Sequence, residues 1–387
     1  MPYVLATVLA MAPPSCPSVE HLLERSDGAL ARIRRPGGRI DADGLDTVAE
    51  VAARWGNGIV EITNRANLQL RGIRPGASAA VAGALTDSGL SFGAAGDLRR
   101  NLLLGPLGDL DPTAVDYSKL LDPILAQLDS DRRLDSLSDK FGIAMDGGGS
   151  WPLTARRAAV VASAGDDAGT AVIRCSWGPP RTVARSDLVA ELAAAAVSSL
   201  DHPYRSVVAP GTPGRTAPAT GPLGRGPGWV GAMPALGRTD VSTLRGLSEL
   251  ARRHSRGSLR LTPWRGVVFA QPSDPDRLQD SLGRLGLVVE PDDPAASVVA
   301  CAGTRGCTSA LTDAMGDARL VIRARRERRS TAAAIHVSGC AKCCAQRERA
   351  AVALIGVEPG RYDLYRDGSI VAAGLGASDA VEKASWP

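Results

Sequence analysis

An internal duplication constrains this sequence more than any other feature, because a repeat fixes the architecture before individual residues are considered. Segments that begin at Gly38 and Gly237 align without a gap through a helical pattern, a glycine and a strand pattern. The identical pairs are Gly38/Gly237, Arg39/Arg238, Asp41/Asp240, Leu45/Leu244, Glu50/Glu249, Ala52/Ala251, Arg54/Arg253, Gly58/Gly257 and Thr63/Thr262. Chance does not easily produce so many matches. The repeat predicts two similar α/β layers related by a pseudo-twofold axis.

Length and composition support a folded protein of several domains. The chain has 387 residues, of which 44% are hydrophobic and 22% are charged. The net charge of +4 is too small over this length to indicate a nucleic-acid or membrane partner. No apolar run approaches the roughly 18 residues that cross a bilayer. The first segment, MPYVLATVLAMAPPS, is like a short signal sequence but has no preceding positive charge, so we expect a cytoplasmic protein.

The region between the two copies is rich in proline and glycine. Residues 209–228 read APGTPGRTAPATGPLGRGPG, which predicts a linker without regular structure. After each repeat comes a second region of strand patterns and one helix. In the second half, Asp367-Gly368 between two such strands predicts a two-residue hairpin turn. In the first half, Asp146 precedes three glycines, which we interpret as a plain turn because no Lys-Ser/Thr pair follows to bind phosphate.

The cysteines are concentrated in one part of the second half. Five of the seven lie between residues 301 and 344. Cys301 and Cys307 are separated by five residues, and Cys340 and Cys344 by three. Four thiolates are what a 4Fe-4S cluster needs, one for each iron. Neighbouring glycines would let the backbone approach the sulfides closely.

A zinc site is the alternative for this group, since Cys340 and Cys343 have the spacing of a zinc knuckle. The wide spacing of the first pair is unusual for zinc and favours the cluster. Cys343 is then the extra thiol, although the fourth ligand could be either Cys343 or Cys344. Cys16 and Cys175 are isolated in sequence, and we predict that both are small buried hydrophobic residues.

These residues together resemble the nitrite/sulfite reductase superfamily. The resemblance lies in the two cysteine pairs, in HVSGC before the second pair and in TNRANLQLRG after the first repeat helix. It covers nearly all of the chain. It implies an α+β protein with a duplicated nitrite/sulfite reductase fold and pseudo-twofold symmetry. The implied domains are a ferredoxin-like half domain (16–90), an α/β domain without a cluster (91–208), the linker (209–228), a second ferredoxin-like half domain (229–290) and an α/β domain carrying the 4Fe-4S cluster (291–387).

The same resemblance implies roles for individual residues. Cys301, Cys307, Cys340 and Cys344 would hold the cluster. Basic residues facing a tetrapyrrole or a bound anion would be Arg65, Arg100 and Lys140. Arginine suits this role because it binds carboxylates bidentately, and a tetrapyrrole carries up to about eight of them. If Asn67, Gln69 and Arg71 alternate with Arg65 along one strand, they form a polar stripe on the same face. The weaker candidate for that surface is Arg265.

Within the superfamily, the segments DGALARIRRPGG, RRNLLLGPL, KFGIAMDGGG, LRLTPWRGVV and HVSGCAKCC resemble the precorrin-3B synthases of aerobic cobalamin biosynthesis. That family implies a monooxygenase that uses O2 to hydroxylate precorrin-3A, after which an acetate side chain closes a γ-lactone. The cluster would relay electrons from an external donor, and a mononuclear non-haem iron near it would activate the oxygen. None of the four histidines belongs to a recognisable ligand set for that iron.

Two alternatives remain from the sequence. A sirohaem-dependent nitrite or sulfite reductase shares the superfamily, but Gly142 stands where those reductases have a second lysine, which weakens an anion-reducing role. Cys343 also departs from the pattern, because a glycine is expected there. The other alternative is a zinc-stabilised binding protein that uses RARRERR on an acidic partner, although such a charge run is usually a solvated surface.

Overall fold

The computed structural model describes residues 16–153, 156–209, 220–330, 333–346 and 350–386. The leader-like segment and residues 210–219 of the linker lie outside the described residues. The strands are β1 (Ala29–Ile33), β2 (Arg39–Asp41), β3 (Ile59–Ile62), β4 (Leu68–Ile73), β5 (Leu102–Leu104), β6 (Ile143–Asp146), β7 (Arg157–Ala158), β8 (Val160–Ala164), β9 (Thr170–Cys175), β10 (Gly178–Ala184), β11 (Val207–Val208), β12 (Gly224–Gly226), β13 (Trp229–Ala232), β14 (Arg238–Asp240), β15 (Ser258–Leu261), β16 (Val267–Ala270), β17 (Val298–Ala300), β18 (Ile335–Ser338), β19 (Val352–Glu358), β20 (Arg361–Arg366) and β21 (Ser369–Gly376). The α-helices are α1 (Ala42–Trp55), α2 (Ser78–Asp87), α3 (Gly93–Leu98), α4 (Leu121–Asp129), α5 (Leu188–Ser198), α6 (Val241–His254), α7 (Pro275–Arg284), α8 (Ala314–Glu327) and α9 (Ala377–Ser385).

The duplicated segments form two antiparallel sheets that exchange strands. The first repeat sheet has the order β1-β4-β3-β14, and the second repeat sheet has the order β12-β13-β16-β15-β2. Strand β14 belongs to the second half but pairs with β3 of the first half. Strand β2 belongs to the first half but pairs with β15 of the second. Each repeat sheet is therefore completed by the other half of the chain.

The two repeat helices, α1 and α6, start with the same cap and pack against each other. Asp41 accepts a hydrogen bond from Gly44 N and Asp240 accepts one from Thr243 N, each at 2.8 Å. This cap satisfies one of the free N–H groups at each helix start. The apolar stripes of both helices are buried in one shared core, which contains Leu45, Val48, Ala52, Leu244, Leu247 and Ala251. Both stripes were predicted from the sequence.

Two of the identical glycines are explained by backbone geometry. Gly38 and Gly237 have φ angles of 70° and 69°, a region that side chains disfavour. A Cβ atom at Gly38 would also collide with the carbonyl oxygen of Leu261, and one at Gly237 with the Arg265 side chain. The same glycine turn therefore precedes both exchanged strands, β2 and β14.

Each half also contains a mixed sheet, and the two mixed sheets have the same topology. The first mixed sheet has the order β5-β6-β8-β9-β10, and the second has the order β17-β18-β19-β20-β21. In each sheet the first three strands are parallel and the last two are added antiparallel. Helix α5 covers the first sheet, while α8 and α9 pack on the second. The predicted α+β class and duplication are confirmed.

The structure confirms one local prediction and corrects another. Asp367-Gly368 forms the turn of the hairpin between β20 and β21, with both residues at positive φ. The predicted linker is wrong at its C-terminal end, because Gly224–Gly226 forms β12 and pairs with β13. The reason is a tight Pro227-Gly228 turn in which Gly228 has a φ of 74°.

Candidate functional site

A cavity of about 500 Å³ lies between the first repeat sheet and the loops that carry the cysteines. One wall contains Cys301, Cys307, Cys340 and Cys344. Charged and polar side chains contribute to the remainder, including Arg25, Arg32, Glu61, Gln69, Arg71, Arg265 and Lys342. Apolar side chains fill gaps between them, namely Leu23, Leu30, Ile62, Leu236 and Met315. The cavity therefore combines thiols, guanidinium groups and apolar surface.

The fold brings the two cysteine pairs together through two neighbouring parallel strands. Cys301 follows β17 directly, and Cys340 comes two residues after β18. The carboxyl ends of parallel strands meet at one edge of a sheet, which is a common place for ligand sites. The loops are joined there by a hydrogen bond from Leu311 N to Gly339 O at 2.7 Å. Gly339 N also donates to the Cys301 sulfur at 3.1 Å.

Small residues allow this close approach of the two cysteine loops. A Cβ atom at Gly339 would lie 2.9 Å from Ala310 Cβ and 3.4 Å from Gly303 Cα. Gly303 itself has a φ of 64°. An N–H group that donates to a cysteine sulfur is a common feature of iron–sulfur sites, where it stabilises the anionic thiolate. The donor set and its surroundings fit a 4Fe-4S cluster.

Two observations separate the candidate cysteine ligands. Cys344 contributes to the cavity wall, whereas Cys343 does not and has a φ of 46°.

Among the described residues, no group of three or more His, Cys, Asp or Glu side chains is arranged to hold a single metal ion. In a 4Fe-4S cluster each thiolate binds a different iron, so its ligands lie further apart than those of one ion.

The first repeat sheet contributes Arg32 and Arg71 to the cationic wall. Arg32 on β1 lies opposite Gln69 on β4 and donates to its Oε1 at 3.0 Å. Burial, with smaller contributions from Arg65 and Arg34, lowers the pKa of Arg32 to about 10, although Cys16 and Glu61 act to raise it. The group still carries its charge at neutral pH. A buried guanidinium in this position is suited to bind an anion.

The predicted polar stripe is partly wrong. Gln69 and Arg71 lie on β4 and line the cavity, but β4 begins only at Leu68. Arg65 and Asn67 lie in the preceding turn, where Ala66 has a φ of 53° and Asn67 N donates to Thr63 Oγ1. Side chains therefore do not alternate through this segment as they would along a strand.

Arg65 and Asn67 line a second, smaller cavity of about 60 Å³. The other lining residues are Arg32, Arg34, Thr63, Asn64, Asn101 and Asp139. Asn67 is buried and accepts a hydrogen bond from Arg35 N at 2.7 Å, so it stabilises the turn. Arg32 lines both cavities and connects them. Three arginines and three asparagines give this cavity a strongly polar wall.

The remaining predicted basic residues lie elsewhere. Arg100 donates to both carboxylate oxygens of Asp129, at 2.8 and 2.7 Å, and its guanidinium stacks on Phe92. Lys140 is exposed. Neither residue lines the two cavities described above. Arg71 is fully engaged with Asp27, Glu61 and the carbonyl oxygen of Gly306.

Sequence reasoning missed three participants, namely Arg32, Arg34 and Cys16. Arg34 lines the small cavity and donates to the carbonyl oxygens of Asp97 and Asp139. Its alternation with Arg32 at the end of β1 is a signal that could have found both. Cys16 was predicted to be a buried hydrophobic residue, but it lines the large cavity and its N–H donates to Asp139 at 2.7 Å. Cys175, predicted likewise, is only half-buried.

His336 lies on β18, close to the cysteine loops. Its side chain is 3% exposed, and its Nε2 has no hydrogen-bond partner among the described residues. Burial, with a smaller contribution from the nearby Arg265, lowers its pKa from 6.5 to about 4. The imidazole is therefore neutral at physiological pH.

Comparison with known proteins gives a family for the repeated segments. The nitrite/sulfite reductase ferredoxin-like half domain matches residues 23–88 and 224–282. Each range contains one repeat sheet except for its exchanged strand, which lies in the other range. Precorrin-3B synthase from a Sinorhizobium species is 27% identical, over 94% of this chain and 84% of that protein. The predicted resemblance to this superfamily and to precorrin-3B synthase is confirmed.

Two reductases match shorter stretches. The sulfite reductase [NADPH] hemoprotein beta-component of Bordetella petrii is 31% identical over 32% of this chain and 23% of its own length. The assimilatory ferredoxin-dependent nitrite reductase of Haloferax mediterranei is 27% identical over 41% of this chain and 28% of its own length. The chain thus spans about a quarter of either reductase.

A solved structure shares the overall fold. The NirA protein of Mycobacterium tuberculosis superposes with a TM-score of 0.70 at 18% identity, covering 90% of this chain and 76% of that protein. The chain therefore has the duplicated nitrite/sulfite reductase fold. In the described part of the chain, no helix has the length and apolarity needed to span a membrane.

Proposed function

We propose that this chain is a precorrin-3B synthase-type monooxygenase, which hydroxylates precorrin-3A with O2 and closes a lactone in aerobic cobalamin biosynthesis. The observation that carries the proposal is one cavity lined by four cysteines and by several arginine side chains. The similarity to precorrin-3B synthase extends over 94% of the chain and supports it. Because the cysteines must stay reduced to hold a cluster, we assign the protein to the cytoplasm.

The cysteine wall would hold the cofactor. Cys301, Cys307, Cys340 and Cys344 would bind a 4Fe-4S cluster, with Gly339 N donating to the first sulfur. When bound, the cluster would supply single electrons from an external donor to a mononuclear iron that activates O2. We assign no residue to that iron.

The cationic wall would bind the substrate. A tetrapyrrole presents carboxylates around an apolar macrocycle, so it needs cations at the rim and apolar contacts on the face. Arg32 and Arg65 are suited to the carboxylates because each is half-buried and borders a cavity. Leu23, Leu30 and Ile62 are suited to the macrocycle. Gln69 orients Arg32 through its side-chain oxygen.

The alternative is a sirohaem-dependent nitrite or sulfite reductase, which the fold and the two partial matches support. Gly142 weakens this alternative. A Cβ atom at this position would lie 2.9 Å from the carbonyl oxygen of Asn101 and would also collide with its side chain. A lysine could not be introduced there without displacing Asn101, so the second cation of those reductases is excluded by packing.

Anaerobic purification followed by metal analysis and a visible spectrum tests the cofactor. We expect about four to five iron and about four sulfide per chain, a broad brown absorbance and no macrocycle bands. Precorrin-3A and isotopically labelled O2 should then give a product that contains one labelled oxygen atom. Bound sirohaem would favour the reductase, and a colourless zinc protein would exclude both enzymes.

Substrate binding can be tested without turnover by using uroporphyrin, a stable porphyrin with carboxylates around its rim. Arg32→Ala and Arg65→Ala should each weaken binding about tenfold, since each removes a charge-assisted contact. Lys140→Ala is the matched control, because Lys140 is exposed and lines neither cavity. Equal affinity in all three variants would exclude the cationic wall as the tetrapyrrole site.

A further inference from the structure

Two arginines, Arg71 and the half-buried Arg265, each hold one of the cysteine loops. Arg71 Nη2 donates to the carbonyl oxygen of Gly306, beside Cys307, at 2.8 Å. Arg265 Nη2 donates to the carbonyl oxygen of Ala345, beside Cys344, at 2.5 Å. Arg71 lies on β4 of the first repeat sheet, and Arg265 lies in the turn between β15 and β16 of the second. Each repeat sheet thus supplies one contact to one cysteine loop.

A glycine accommodates each of these arginines. A Cβ atom at Gly306 would collide with the Arg71 guanidinium, and one at Gly237 would collide with the Arg265 side chain. Arg265 also has a φ of 62°, which positions its side chain under the second cysteine loop at a cost in backbone energy. The close fit indicates that the two side chains have fixed positions.

The charge of Arg71 is balanced by carboxylates. Its Nε and Nη2 atoms donate to the two carboxylate oxygens of Asp27, at 2.8 and 2.9 Å. Its Nη1 lies 3.4 Å from Glu61. Arg71 is 3% exposed, and Asp27 and Glu61 are mostly buried. This group therefore adds no net positive charge to the cavity.

The charge of Arg265 is not balanced in this way. Among the described residues, no carboxylate lies within ion-pair distance of its guanidinium. The charged or titratable groups that act on it are Arg156, His336 and Glu61, and Glu61 is paired with Arg71 and Arg238. Burial lowers the pKa of Arg265 to about 10, so it remains protonated at neutral pH. A buried, unbalanced cation acts over a longer distance than a solvated one because water screens it less.

We infer that Arg71 and Arg265 are positioning residues that fix the two cysteine loops, and that, of these two, Arg265 is the one that adds a net positive charge to the cysteine site. The second part rests on the proposed cluster. A fixed positive charge stabilises the reduced, more negative state of a cluster, so Arg265 raises its reduction potential. The first part concerns the polypeptide and is independent of the cofactor.

Four variants separate the two effects. Arg71→Met combined with Asp27→Asn removes the first contact without changing the net charge. Arg265→Met removes the second contact and the charge, whereas Arg265→Lys keeps the charge and loses the planar fork. The control is Arg305→Met, because Arg305 lies in the first cysteine loop but its side chain is 76% exposed. Hydrogen exchange of residues 301–307 and 340–346 reports the contacts, and a redox titration reports the charge.

We expect about tenfold faster exchange of residues 301–307 in the Arg71/Asp27 double variant, and of residues 340–346 in Arg265→Met. The reduction potential should fall in Arg265→Met and stay at the wild-type value in Arg265→Lys, in the double variant and in the Arg305 control. Unchanged exchange in both loops would overturn the positioning role. An unchanged potential in Arg265→Met would overturn the charge role.

Failure of the proposed function has a different signature. If the purified protein contains no iron or sulfide, the cluster and the charge role both fail. Hydrogen exchange on that same protein still decides whether the arginines fix the loops, since both contacts are made by the polypeptide alone.

Discussion

The two mixed sheets share one topology but differ at the ends of their parallel strands. In the first mixed sheet, β6 ends in Asp146 and three glycines follow; in the second, β18 ends in Ser338, and Gly339 and Cys340 follow. The strand registers are equivalent, with Leu102 opposite Ile143 in the first and Val298 opposite Ile335 in the second. The same scaffold therefore carries two different sets of loops.

The space at that edge is occupied in one half and open in the other. At the edge of the first mixed sheet, Leu107 forms a small apolar cluster with Trp229 and Val268 of the second half. Trp151 packs against this cluster and meets Trp229 edge to face. Only about 10 Å³ remains open beside this cluster, against about 500 Å³ at the cysteine loops. The mixed sheet therefore fixes where a site can lie, and the loops at its edge determine whether that site can hold a cofactor.

The largest difference between the two halves is expected from cysteine variants. Cys301→Ser or Cys340→Ser should abolish the cluster and destabilise the second half, because cluster binding is coupled to folding. Iron analysis and thermal unfolding measure both effects. Cys175→Ser is the control, since Cys175 lies on β9 of the first mixed sheet. Full iron retention in the Cys301 and Cys340 variants would remove these residues from the site.

The second largest effect is expected when one buried valine in each half is replaced by alanine. Val160 on β8 and Val352 on β19 occupy equivalent positions, opposite Ile143 and Ile335, and both are buried. Replacing either by alanine should lower the free energy of unfolding by about 2 kcal/mol. Only Val352→Ala should also speed the loss of iron to a chelator. Equal rates of iron loss in the two variants would show that the halves are not distinct in this respect.

The pH dependence of stability sharpens the comparison at one position. His336 on β18 is equivalent to Ala144 on β6. Because burial lowers the pKa of His336 from 6.5 to about 4, the unfolded chain binds a proton that the folded chain does not between these values. Stability from this group is complete above pH 6.5 and decreases as the pH falls towards 4.

The variant His336→Ala copies the residue of the first half. Wild-type protein should lose about 2 kcal/mol of unfolding free energy between pH 7 and pH 5 through this group. The variant should lack this contribution, although its cavity makes it less stable at pH 7. Urea unfolding at the two pH values measures the difference. The same acid sensitivity in both proteins would contradict the assignment.

The smallest effect is expected at the arginine-rich end of α8. Arg323 and Glu327 form an exposed pair one helical turn apart, with Arg323 Nε donating to Glu327 Oε1 at 2.8 Å. Arg323→Ser should change the free energy of unfolding by less than about 0.5 kcal/mol and leave the iron content unchanged. A larger loss, or the loss of an acidic partner in a binding assay, would revive the binding-surface interpretation of this segment.

Much of the fold could be predicted from the sequence because the repeat conserves local signals. The helical stripes, the caps at Asp41 and Asp240 and the Asp367-Gly368 hairpin depend on neighbouring residues. Strand exchange could not be predicted, since β2 and β14 are three residues long and pair with strands distant in sequence. No local pattern distinguishes pairing within a half from pairing between halves.

The cysteine wall of the candidate site could be predicted from the sequence more completely than its arginine wall. The cysteines carry a spacing signal, and all four line one cavity. The arginines carry no such signal, because a guanidinium engaged in an ion pair and one facing a cavity look alike in sequence. Arg100 pairs with Asp129 and Arg71 with Asp27, while the unpredicted Arg32 lines both cavities. Only tertiary contacts separate these cases.

Because the two halves exchange strands, neither half can complete its repeat sheet without the other. A fragment ending near residue 208 would lack β14 and expose the edge of β3, and the complementary fragment would lack β2 and expose the edge of β15. Exposed strand edges promote aggregation, so neither half is suited to exist alone. A single-copy form of the repeat could satisfy its sheets only by trading strands between two molecules. Joining the copies in one chain makes that exchange intramolecular and frees one half to lose residues that the other retains.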